Sequence, residues 1–65
     1  MALTITVTGM SCEHCEQTVR EALQAVDGVT NATVDREAEQ ATVEGADDPG
    51  VLVAAVEDAG YEAEA

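Results

Sequence analysis

The sequence has no lysine, no tryptophan and no phenylalanine, and Tyr61 is its only aromatic residue. Without large rings the core has to be assembled from Val, Leu, Ile and Ala. A chain of 65 residues built that way lies near the lower limit for folding alone. Without lysine, and with arginine only at positions 20 and 36, there is no basic surface to meet phosphates. That excludes nucleic acids and anionic membranes as natural partners. Long apolar runs are missing too. The longest, Val51 to Val56, falls far short of the ~20 residues needed to cross a bilayer, so membrane insertion is not expected. Cysteine is scarce: two residues, three apart, cannot form the disulfide framework of a small secreted domain. No segment resembles a targeting signal, and the expected compartment is the cytoplasm. The organisation expected is one domain over residues 1–65, and the ends at Met1 and Ala65 suggest a free-standing protein.

What is abundant is acid. Fourteen Asp and Glu against two Arg give a net charge of −12. Such chains are often disordered, but disorder goes with low hydrophobicity, and here apolar residues recur in regular patterns. The acidity therefore belongs to a folded surface, suited either to a basic partner or to very high salt, where the screening length falls to about 3 Å at 1 M. Acids spread over the whole chain, with lysine absent, favour the salt reading.

Leu3, Ile5 and Val7 alternate with Thr4, Thr6 and Thr8, the period of a half-buried strand. Gly9-Met10-Ser11-Cys12 breaks the alternation. Cys15, Val19, Ala22, Leu23 and Val26 then fall on one helical stripe, with Glu16, Gln17, Arg20, Glu21 and Gln24 facing outward. Ser11 or Cys12 is the expected N-cap, and Asp27-Gly28 ends the helix. Val29 to Asp35 reads as a second strand with Thr30, Ala32 and Val34 on one face. Arg36 to Glu39 reads as a hairpin turn, and Gln40 to Glu44 as a third strand. After a loop from Gly45 to Asp48, Asp48-Pro49 starts a second helix lined by Leu52, Ala55, Val56 and Ala59. Gly60 closes that helix, and Tyr61, Ala63 and Ala65 alternate as a short last strand. The order βαββαβ predicts an α+β, ferredoxin-like fold, with two helices on one face of a four-stranded antiparallel sheet.

The chemistry is concentrated in Gly9-Met10-Ser11-Cys12-Glu13-His14-Cys15, where the first strand turns into the first helix. The spacing puts Cys12 in the loop and Cys15 in the first helical turn, so their sulfurs can converge. Free N–H groups and the dipole at the helix start favour thiolate there. Two soft thiolates suit Cu(I), whereas Zn(II) normally takes four ligands. Cys12 and Cys15 are thus the candidate metal ligands. His14 is a candidate third ligand, although on a helix its direction differs from that of Cys15 by about 100°. Met10 carries a soft thioether, but the commoner task of such a residue is packing beneath the loop. Glu13 and Glu16 are hard oxygen donors, better placed on a solvated face. Asn31-Ala32-Thr33 matches a glycosylation acceptor, but it falls in an expected strand and is discarded.

With these residues in view, the sequence resembles the heavy-metal-associated domain family, and within it the small cytoplasmic copper chaperones. The resemblance covers the whole chain. It is carried by Gly9 to Cys15, by Asp27-Gly28-Val29, and by Glu57-Asp58-Ala59-Gly60-Tyr61. It implies binding of Cu(I) by Cys12 and Cys15, delivery to the metal-binding domain of a P-type copper ATPase, and no enzymatic activity. It also places the Tyr61 loop beside the metal, where the phenol can shield copper or hydrogen-bond near a thiolate, with Met10 holding the loop in shape. A copper-bridged homodimer is a further expectation. Rival readings are a thiol–disulfide oxidoreductase, a carrier of Hg(II), Zn(II) or Cd(II) on the same fold, and the regulatory domain of an ATPase. Against the first, Pro49 is the only proline and is used as a helix start, so no proline is left to face the cysteines.

Overall fold

The computed structural model describes residues 2–46 and 48–65. Met1 lies outside the described residues, as does Asp47, which belongs to the expected 45–48 loop. The elements run β1 (Ala2–Thr8), α1 (Glu13–Gln24), β2 (Asn31–Asp35), β3 (Gln40–Glu44), α2 (Pro49–Asp58) and β4 (Glu62–Glu64). The strands form one sheet in the order β2-β3-β1-β4, with every neighbouring pair antiparallel. The α1 helix packs on β2, and α2 packs on β4 and β1. The two helices also touch each other, so both lie on one face. The expected ferredoxin-like βαββαβ arrangement is the observed one.

The period-2 pattern of β1 sends Ile5 and Val7 into the core and leaves Thr4 and Thr6 exposed on the open face. Val19 and Leu23 from α1 meet Leu52 and Val56 from α2 over Ala41 and Val43 from β3. No aromatic ring enters this fully buried set, and Tyr61 packs at its margin.

Several details differ from expectation, and β4, at Glu62–Glu64, is shorter than the Tyr61 to Ala65 alternation. The α1 helix stops at Gln24, short of Asp27-Gly28, because Ala25 takes over as C-cap and the chain turns through Gly28 at positive φ. β2 begins at Asn31. Val29 is still bonded back to Val26 through its N–H, and Thr30 is exposed, so Thr30 does not share the inward face of Ala32 and Val34. Glu16, expected to face outward, is half-buried: its carboxylate Oε2 accepts a hydrogen bond from the backbone N–H of Arg36 at 2.9 Å. One glycine is fixed by a close approach. A Cβ on Gly45 would collide with the Gly28 carbonyl oxygen and the Thr30 N–H, so this turn between β3 and α2 tolerates no side chain.

Candidate metal site

Three segments meet at one end of the molecule: the β1–α1 loop, the β2–β3 turn and the chain leaving α2. β1 is fastened to the turn by the Val7 N–H, which donates to the Glu39 carbonyl at 2.8 Å. The start of α1 is fastened to it by Glu16 and Arg36. The chain leaving α2 is directed by a C-terminal motif that follows from Gly60. With Gly60 at a φ of 98°, its N–H bonds the Glu57 carbonyl, and the Tyr61 N–H reaches back to the Val56 carbonyl at 3.2 Å. This is the paired closure that a glycine just past a helix permits. It sets Tyr61 beside the loop, with its Cδ1 3.8 Å from where a Cβ on Gly9 would stand.

Within the loop, Cys12 is the N-cap of α1, in extended backbone (φ −153°, ψ 167°), and its side chain makes no capping hydrogen bond. The sulfur points instead to Cys15, 3.1 Å from that Sγ. Both thiols are free, with Cys12 exposed and Cys15 half-buried. The Cys15 thiol is lowered from its usual 9.0 to about 6. The hydrogen bond from the Tyr61 phenol is the main cause and that from the Cys12 thiol comes next. Partial desolvation opposes them, and backbone hydrogen bonds at Ser11 and Cys12 add a little. The same contact with Cys15 is the main reason the Tyr61 phenol is raised. At neutral pH the thiolate form of Cys15 is therefore favoured, with the Tyr61 phenol and the Cys12 thiol beside it.

The other sequence candidates separate clearly. Met10 is buried, 7% exposed, and belongs to the core beneath the loop. His14 is exposed and lines an open groove of about 580 Å³ between α1 and β2, together with Glu13, Glu16, Gln17 and Arg20. Among the described residues, no three His, Cys, Asp or Glu gather as a metal-holding group. Glu13 is exposed, as expected of a solvated carboxylate. Glu16 is the residue that sequence reasoning missed. Its carboxylate anchors the turn that carries Cys15 to the hairpin.

Comparison with known proteins starts from residues 4–62, which match the family described as heavy-metal-associated domain. The chain belongs to the heavy-metal-associated domain family. Copper chaperone CopZ of Staphylococcus aureus is 45% identical over 62 residues, covering 89% of this chain and 90% of that one. Copper-transporting ATPase 1 of Rhizobium meliloti is 45% identical over 58 residues, which are 86% of this chain but only 7% of the ATPase. Among solved structures, a CopZ metallochaperone superposes with a TM-score of 0.91 at 36% identity, covering 98% of this chain and all of that one. The family thus includes both free chaperones and parts of transport ATPases, and this chain matches both at equal identity.

Proposed function

We propose that this chain works as one 65-residue domain that carries a single Cu(I) ion between Cys12 and Cys15 in the cytoplasm. It would pass the ion to the metal-binding domain of a P-type copper ATPase and catalyse no reaction of its own. The observation that carries this reading is the paired sulfurs, 3.1 Å apart at an exposed strand-to-helix loop, with no third His, Cys, Asp or Glu gathered with them among the described residues. Two thiolates satisfy Cu(I) and leave Zn(II) short of ligands. Low coordination also serves transfer. A partner thiolate can enter at exposed Cys12 and form a three-sulfur intermediate, and the ion then leaves by exchange without ever being free. Tyr61 would stabilise the Cys15 sulfur, and Met10 would hold the loop from below. The similarity to CopZ and to copper ATPase segments supports both the metal and the type of recipient.

The deciding experiment is anaerobic competition, with Cu(I), Zn(II) and Hg(II) offered together to the reduced protein. One equivalent of retained Cu(I) is expected, and preferential retention of either rival would overturn the choice of metal. The proximity of the sulfurs also favours a second reading, a thiol–disulfide oxidoreductase. That reading requires catalytic turnover of a disulfide substrate, whereas a carrier shows none.

The acidic surface fits work in multimolar salt. Net charge of −12 on 3935 Å² of surface repels itself in dilute buffer, and the all-aliphatic core has little stability to spare. The unfolding midpoint of the apo protein should climb steeply from low to multimolar KCl, through screening and strengthened apolar burial. A flat profile would instead point to a basic partner that neutralises the acids.

A further inference from the structure

The sheet has two free edges, and they are unlike each other. β4 is three residues long, with an exposed Glu62 and Glu64. A short, charged rim of that kind resists pairing with another strand. β2, at the opposite edge, is five residues long, with exposed Thr33 at its centre and Asp35 as its only charge. Its sequence does not blunt it: it holds no proline and no lysine, and no further strand lies beyond it in the sheet order among the described residues.

Both cations of the chain flank this edge. Arg20 lines the groove over β2 together with Thr33, Val34 and the acids at the start of α1, and Arg36 directly follows the strand. On a molecule of net charge −12, this flank thus offers positive charge, Arg20, beside the acids Glu13 and Glu16 of the same groove.

The strand is also self-complementary. Antiparallel pairing about a two-fold axis at Thr33 sets Thr33 against Thr33 of a second copy, Ala32 against Val34, and Asn31 against Asp35. No like charges stand opposite each other, and the Asn31 amide can donate to the Asp35 carboxylate. On the open face, Thr33 already lies beside Thr42 and Thr42 beside Thr4. The new contact continues this threonine row, a favourable cross-strand combination. The two-fold axis reverses α1 as well, bringing Arg20 of each copy towards Glu13, Glu16 and Gln17 of the other.

We propose that β2 is a self-pairing edge, through which two copies of this chain join into one eight-stranded sheet without metal. The Asp35 end of β2 adjoins the cysteine loop, so the two loops lie at opposite ends of the dimer and both stay open. This assembly is therefore distinct from one bridged by copper.

Sedimentation of the reduced, metal-free protein tests it, from micromolar to millimolar protein and across rising KCl. A dimer is expected in multimolar KCl, unchanged in the Cys12→Ser, Cys15→Ser double variant. Thr33→Glu places like charges opposite each other and should weaken association about fivefold. Thr4→Glu adds the same charge to the same open face in a central strand and should leave association unchanged. Arg20→Glu, on the exposed side of α1, tests the edge again without touching the sheet. Circular dichroism checks that each variant is folded. A monomer at every concentration, a dimer that forms only with copper, or equal effects of Thr33→Glu and Thr4→Glu would each overturn the proposal.

Discussion

The two halves of the fold make the same move twice, strand to loop to helix, and they start their helices in opposite ways. In the second half Asp48 caps α2 properly: its Oδ1 accepts from the Gly50 N–H at 2.9 Å, and Pro49 occupies the first helical position. In the first half Cys12 occupies the equivalent cap and gives the helix no side-chain bond, because its sulfur is turned to Cys15. A good cap is typically worth about 1 kcal/mol. The first helix forgoes that stabilisation, and the helix N–H groups and dipole are left to favour a thiolate.

The largest test of this contrast is on metal. Cys12→Ser or Cys15→Ser should each weaken Cu(I) binding by orders of magnitude in anaerobic competition titrations, whereas Asp48→Ala should leave it unaltered. His14→Ala should matter far less than either cysteine change, since His14 stands apart on the groove.

Next comes the anchor that only the first half possesses. Glu16→Ala removes a half-buried, charge-assisted hydrogen bond to Arg36 and should lower unfolding stability by about 1.5 kcal/mol in urea titrations at fixed KCl. The loop should loosen with it, seen as faster hydrogen exchange at the amides of residues 12–16.

The caps themselves follow. Asp48→Ala should cost about 1 kcal/mol. Cys12→Asp should do the reverse, stabilising the apo protein by about 1 kcal/mol while abolishing copper binding. A Cys12→Asp variant no more stable than the parent would show that the first helix start had sacrificed nothing.

The smallest effect is on protonation. Alkylation of Cys15 in the apo protein should be half-maximal near pH 6, and Tyr61→Phe should move that midpoint upward by removing the main cause of the shift. The sign for stability follows from a folded-state value below the unfolded 9.0. This contribution is fully present above about pH 9 and is lost as pH falls through 6. The apo protein should therefore become less stable on acidification across that window, and the Tyr61→Phe variant less steeply so.

Much of this was legible in the sequence because it is local. The alternation of Leu3, Ile5 and Val7, the Asp48-Pro49 start and the Gly60 stop each need only a few neighbouring residues, and each is where the pattern put it. The convergence of Cys12 and Cys15 follows from their spacing at a helix start, and the burial of Met10 from its place under the loop. Glu16 was not legible. The helical period assigns it to the outer face, and only the approach of the β2–β3 turn, twenty residues away in sequence, gives its carboxylate a donor. Thr30 misled for a related reason. It continues the period of Ala32 and Val34, but the tight turn at Gly28 and the close approach of Gly45 hold it out of the strand.

The placement of Tyr61 has one more consequence, an optical one. With no tryptophan or phenylalanine in the chain, all near-ultraviolet absorption and emission from aromatic side chains come from one phenol, placed beside the cysteine loop. Emission from a phenol depends strongly on whether its proton is shared with a nearby anion and on any metal close to the ring. Binding and release of an ion at these sulfurs should therefore change the intrinsic luminescence of the unlabelled protein, with no other aromatic fluorophore in the chain to mask the signal.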